Sequence, residues 1–439
     1  MTADIVLPPI HRERLASGLQ LIVAERPGIP LTAARIVLRG GASLDPARRC
    51  GLAHLAALAC RRGTARWTGD QIDLAVESLG AELAAGVDED GTYFGLSAPS
   101  EVLPRCLDLL ADVVAAPRFP AREVERLKRR EIAALAHDLD EPAVLADRAM
   151  LTAAYGEHPY GHPPEGRARD LLRVERKDVA RFHAATFRPD GATLVVVGTV
   201  GAEEVLALVR RRFGGWRGGA TELPAIDSPP SPRPVVLVVD KPDLSQVQVR
   251  IVSRGFARRS PDYYAGMVAS AVLGGGFTSR LMEAIRVNRG LSYGVRSRFA
   301  TSAAGGLFYA SSFTKVETAA ELFQVALDET ARFCEEGPSA EELARTQSYL
   351  CGLFPLSLET HDQLAERISD LTLFGLSEDE ITAFRGKVRA VTAEDCKRVA
   401  QAYFPVKDRL LVAVGPARAI ARGLERFGPV EVVPARKVT

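Results

Sequence analysis

The chain has 439 residues, 56 basic against 55 acidic side chains for a net charge of +1, and 47% apolar residues. A chain so balanced and so apolar is not intrinsically disordered, which needs low hydrophobicity with high net charge. It also has no bulk positive field to gather phosphates, so no nucleic-acid partner is expected. No apolar run reaches the ~18 residues that span a bilayer, and the N-terminal MTADIVLPPIHRERL carries Asp4 and two prolines where a signal peptide needs a basic, then an apolar, stretch. Six scattered cysteines with no close pair point to reduced thiols. A cytoplasmic protein without membrane attachment is expected.

In chain order, β-branched alternation predicts strands over 19–24 and 32–39. Apolar residues at helical spacing (Leu52, Leu55, Leu58, Ala59) predict a helix over 51–62. A hairpin follows, 81–87 with 92–98, joined by the turn-forming Asp88-Glu89-Asp90-Gly91. Long helices are predicted over 102–115, 122–139 and 142–154, and a buried strand over 193–197 closes the series.

The same series then begins again. RIVLRG at Arg35 returns as RIVSRG at Arg250, 215 positions later, and GLAHLAAL at Gly51 as GMVASAVL at Gly266. Phe187 leads through TLVVVG to Gly198 just as Phe404 leads through LLVAVG to Gly415. Landmarks at so constant an offset mark a tandem duplication. The expected fold class is α+β, with two homologous halves that each pack a mixed sheet with long helices. The expected division is 1–213, a linker over 214–234 whose glycines and prolines break regular structure, and 235–439.

The segment GLAHLAALACRRGT resembles the inverted zinc motif of the insulinase/pitrilysin-like peptidases, in the branch that includes the mitochondrial processing peptidases. There it reads roughly Gly-Leu-Ala-His-x-x-Glu-His, with Gly-Thr a few residues on. The resemblance extends to Glu157-His158-Pro159-Tyr160-Gly161, to the LVVVG strands, to GGGFTSRL…RGLSYGV and to the two-halved layout, which implies a clam-like half-shell. The chemistry of the motif is plain. Two histidines at i and i+4 face one metal, a glutamate activates the bound water, and a distant carboxylate completes three protein ligands. Here His54 stands at the first histidine, but Ala57 takes the glutamate position and Leu58 the second histidine. The distal carboxylate would fall after Pro120, where Glu131 is the nearest match. The chain alone is therefore not expected to be a zinc hydrolase or to bind a metal. His158 and His162 are also four apart, but Pro159 between them and Pro163-Pro164 after them predict a loop rather than a helix face.

In the second half, Gly274-Gly275-Gly276 lacks the spacing of a nucleotide loop and suits a tight turn that lets a helix approach the sheet. Arg289 and Tyr293 follow. Taken alone, Arg289 suits a helix C-terminus, Gly290 its cap and Tyr293 the start of a strand. The resemblance gives them a role: an Arg and a Tyr at these positions bind the scissile carbonyl or the neighbouring peptide. It thus implies the non-metal subunit of a heterodimeric zinc metalloendopeptidase. The zinc would lie on a partner subunit with the intact motif, and an extended peptide would serve as substrate. Strand 82–87 is the candidate edge for that peptide, although Ala84-Ala85 replaces the family's Asn-Ala there. The alternatives are a purely structural core-type subunit, in which Arg289 and Tyr293 are relics, and a module that binds a peptide precursor without cutting it.

Overall fold

The computed structural model describes residues 5–219 and 223–438; the first four positions, 220–222 of the expected linker and the last position lie outside the described residues. Among the described residues, twelve strands form two six-stranded sheets. The first holds β1 (Ile10–Arg14), β2 (Gln20–Glu25), β3 (Leu31–Arg39), β4 (Glu82–Val87), β5 (Gly91–Pro99) and β6 (Ala192–Gly198), in the order β1-β2-β6-β3-β5-β4. The second holds β7 (Val235–Asp240), β8 (Gln246–Arg254), β9 (Val295–Thr301), β10 (Gly306–Lys315), β11 (Leu410–Gly415) and β12 (Val430–Pro434), in the order β12-β7-β11-β8-β10-β9.

Five strands of each sheet correspond, with the same parallel pair (β2 with β6, β7 with β11) beside the same antiparallel neighbour. The sixth differs. β1 precedes β2 and pairs with it antiparallel, whereas β12 ends the chain and lies parallel to β7. The predicted strands, hairpin and long helices are all present, within a few residues at their ends. Every residue of β6 and of β11 is buried, as strands covered on both faces must be.

The chain forms two compact units, and neither is one continuous stretch. One comprises 1–134, 163–225 and 353–382; the other comprises 135–162, 226–352 and 383–439. Each sheet is therefore covered by a helix from the other half of the sequence. In the first unit the helix His361–Leu373 packs on β3 and β6. In the second the helix Pro142–Tyr155 packs on β7, β8 and β11, where Leu145, Ala146, Ala149 and Met150 join Leu237, Val239, Val252 and Val412 in one core cluster.

The repeated RIV segments explain the docking. Arg250 is buried at 4% exposure on β8; its Nε donates to Asp147 Oδ1 at 2.7 Å and its Nη2 to Ala143 O at 3.0 Å, both on the covering helix. Arg35, its counterpart on β3, reaches Glu366 at 3.5 Å and Asp370 at 3.9 Å on the helix His361–Leu373. One arginine per half thus ties down one borrowed helix. All six cysteines are buried free thiols. Among the described residues no helix is long and apolar enough to cross a membrane.

Candidate functional site

The emptied motif lies on the helix Leu52–Cys60, seven of whose nine residues are buried. Its start is fixed from upstream. The Asp45 carboxylate accepts from Gly51 N at 2.6 Å and from Ala53 N at 2.7 Å, pairing two donors that a helix N-terminus leaves unsatisfied. Burial pushes the Asp45 carboxyl up to about 7, against these hydrogen bonds, which favour its charged form. Gly51 is required at the cap: its φ is +96°, and a Cβ there would meet Glu165 O at 2.6 Å.

From this helix His54 projects to the helix Ala121–His137, where its Nε2 lies 3.4 Å from Glu131 Oε2. The other carboxylate oxygen of Glu131 accepts from Arg130 Nε and Nη2 at 3.1 and 3.0 Å. The His54 hydrogen bond first, and Arg130 after it, hold Glu131 below the usual carboxylate range although burial opposes them. The structure thus brings together the two residues matched to the first and third ligand positions. Ala57 is fully buried on the same helix and Leu58 half-buried. A methyl and an isobutyl group supply no donor, and among the described residues no three His, Cys, Asp or Glu side chains are grouped so that they could hold a metal ion. Two donors where catalytic zinc takes three protein ligands do not fit the metal.

His158 and His162 lie in a loop, as expected. His158 Nε2 bonds Asp227 O at 3.0 Å, and its Nδ1 accepts from Tyr160 N at 3.1 Å, a turn-stabilising arrangement. β4 is an edge strand of its sheet.

In the second unit Gly274 ends the helix Tyr263–Gly274, and a Cβ there would meet Ser297 Oγ at 2.7 Å. The close approach to the sheet is thus made by the helix that the glycines end, not by one that they precede. A π-helical turn, Met282–Val287, follows; such turns are uncommon and frequently mark functional segments. Gly290 then reverses the chain at φ +62°, and Leu291 N donates back to Ile285 O at 2.9 Å. The reversal carries Tyr293 back along the turn it has just left. Tyr293 is 76% exposed, two residues ahead of β9 rather than at the strand's start. Its loop is nonetheless held: Ser312 Oγ donates to Gly294 O at 2.8 Å and Thr314 Oγ1 to Leu291 O at 2.7 Å.

The cation beside the Tyr293 ring is Arg286, whose guanidinium carbon is 4.7 Å from the ring centroid. Arg289 instead turns its Nη1 to Ala284 O at 3.4 Å, on the helical turn that carries it. The family resemblance gave the role to Arg289, and the sequence alone did not single out Arg286. The available signal was the glycine itself: a left-handed residue there folds Tyr293 back over earlier positions, not over its immediate neighbours.

Comparison with known proteins fits this geometry. The insulinase family (peptidase family M16) matches residues 21–166, and the family described as Peptidase M16 inactive domain matches residues 173–350. An uncharacterised zinc protease of Mycobacterium leprae is 26% identical over 379 residues, covering 86% of this chain and 84% of the relative. The beta subunit of the mitochondrial-processing peptidase of Mus musculus is 24% identical over 417 residues, covering 92% of this chain and 83% of the relative. A crystal structure described as a peptidase M16 inactive domain, from Pseudomonas fluorescens, superposes with a TM-score of 0.87 at 26% identity, over 93% of this chain and 98% of that one. With matches to both halves and relatives aligned along most of its length, the protein belongs to the insulinase family of peptidases, family M16.

Proposed function

We propose that this chain is the non-metal subunit of a heterodimeric zinc metalloendopeptidase. The observation that carries the proposal is the contrast between two sites. One has lost the side chains that bind metal and move protons; the other keeps an exposed phenol on a braced loop, beside a half-buried guanidinium on the preceding helical turn. The zinc and its activated water belong to the partner, whose motif is the intact His-x-x-Glu-His. This chain's part is to hold the peptide: the Tyr293 hydroxyl and the Arg286 guanidinium donate to a backbone carbonyl of an extended substrate. Such donors are worth most when the carbonyl oxygen gains negative charge, typically a few kcal/mol of barrier. Arginine supplies a permanent charge in a planar donor set, and tyrosine a donor with little rotamer entropy to lose. Arg289, on the exposed end of the same turn, is a further donor for the same peptide. Relatives named as a zinc protease and as a processing-peptidase subunit support this reading.

The test is co-expression with a homologue that bears the intact motif, followed by peptide turnover. The double change Tyr293→Phe and Arg286→Lys is expected to lower kcat by about 10²-fold with the complex still assembled. Full turnover by that variant complex would assign the chain a structural role instead. Peptide binding by the chain without turnover by any complex would favour a precursor-binding module.

A further inference from the structure

Phe277 is 76% exposed, next to the glycines that end the helix Tyr263–Gly274. An exposed phenylalanine gains little of the roughly 1.5–3 kcal/mol that burial would give, yet its backbone is firmly placed. Ser279 Oγ donates to Gly276 O at 2.6 Å, and Arg345 Nη2, from the helix Ala340–Leu353, donates to Thr278 O at 3.2 Å. The Phe277 ring lies 5.4 Å from the Arg286 guanidinium carbon, so Arg286 stands between two exposed rings, Phe277 and Tyr293. No described residue accepts a hydrogen bond from that guanidinium. Val287 and Tyr349, 62% and 51% exposed, add to the same exposed apolar and aromatic set of this unit.

We propose that Phe277 sets the side-chain preference of this subunit. Its ring takes a large apolar side chain, aromatic or branched, on a peptide residue next to the carbonyl that Arg286 binds. The inference rests on the peptide-holding role given above. Side chains of an extended peptide advance about 3.3 Å per residue, so a ring 5.4 Å from the guanidinium is within reach of an adjacent residue. Phe277 is chosen over Tyr293 because it has no hydroxyl to satisfy and offers both ring edge and face to an apolar partner.

The test uses the full chain and fluorescence anisotropy, with decapeptides in which one Phe is walked through an Ala-Ser background. The chain is expected to favour one Phe position by about tenfold over the all-small peptide. Phe277→Ala should bring the two within about twofold, by lowering the affinity for the preferred Phe peptide far more than that for the small peptide. Arg286→Lys and Tyr293→Phe should weaken all peptides alike. A preference that survives Phe277→Ala, or a loss equal for every peptide, would overturn the assignment while leaving the holding role intact. If the wild-type chain binds no peptide, and the Arg286 and Tyr293 variants leave turnover by the complex untouched, the holding role fails and the specificity assignment with it.

Discussion

Replacing Leu58 with His puts a second imidazole one helical turn beyond His54, on a face that already meets Glu131. His54 Nε2 and Glu131 Oε2 are 3.4 Å apart. Two ligands of a tetrahedral zinc, each about 2.0–2.2 Å from the ion, are themselves about 3.3–3.6 Å apart. The two side chains thus have the spacing of two ligands of one metal, and both are already anchored, Glu131 by Arg130 and His54 by the helix that Asp45 caps. Losing a partner one shell outside a metal costs about 10–100-fold in affinity; gaining a direct ligand in Leu58→His should tighten zinc binding by more than about a hundredfold. The substitution removes a half-buried isobutyl group, at a cost of about 1–2 kcal/mol. Zinc at a hundred times its Kd should return about 2.7 kcal/mol.

Isothermal titration with zinc, and the visible spectrum of the cobalt form, read the outcome. One ion should bind per chain, and affinity should fall on acidification, because protons compete with the metal for its ligands. Adding Glu131→Gln or His54→Ala to the same variant should return affinity to the wild-type level. A Leu58→His protein that is folded by circular dichroism yet binds zinc no more tightly than wild type would refute the view that the His54–Glu131 pair is the remainder of a metal site.

Two further outcomes concern the frame. Arg250→Met removes a buried charge with donors to Asp147 and Ala143 and should lower unfolding free energy by about 2–4 kcal/mol; Arg35→Met, whose ion pairs are longer, should cost about 1 kcal/mol. Urea unfolding checks the order, and equal costs would count against arginine docking of the borrowed helices. Asp45 has a folded-state pKa raised to about 7 from 3.8. A raised carboxyl pKa means that the folded state binds the extra proton, so this stabilising contribution is complete below about pH 4 and is lost as pH rises through about 7. Asp45→Asn should therefore flatten the stability–pH curve between about 4 and 7. An unchanged slope in that window would remove Asp45 as its source.

Much of the frame was legible because it is written in short-range pattern. The alternation in 32–39, the turn cluster at Asp88–Gly91 and the repeat of RIV at Arg35 and Arg250 each depend on neighbours a few residues away, or on identity at a fixed offset. The exchange of helices was not legible. Amphipathicity says that the helices Pro142–Tyr155 and His361–Leu373 must cover something, but it does not say which sheet. The clue lay in the repeat itself: an arginine kept on a buried strand needs a carboxylate, and the partners, Asp147 and Glu366, are each on a helix from the opposite half. His54 and Glu131 were legible as a pair only through the family motif, 77 positions apart in sequence. Arg286 was hidden by a backbone reversal that side-chain chemistry alone does not reveal.

The two sites differ in what stability alone can explain. With no metal present, a glutamate at the fully buried position of Ala57 would be an uncompensated carboxylate, which costs several kcal/mol. A methyl group there, and an isobutyl group at Leu58, are what a packed helix prefers once zinc is gone. The emptied motif therefore needs no functional account; packing suffices. The opposite holds around Tyr293. Tyr293 and Phe277 are each 76% exposed. The one guanidinium between them has no described acceptor, so truncating any of the three should change stability by only about 0.5 kcal/mol. Folding would tolerate their loss. Two exposed rings flanking a half-buried cation with no described acceptor are instead what binding an extended peptide would use, and that asymmetry is the strongest physical reason to look for this chain's role in its second half.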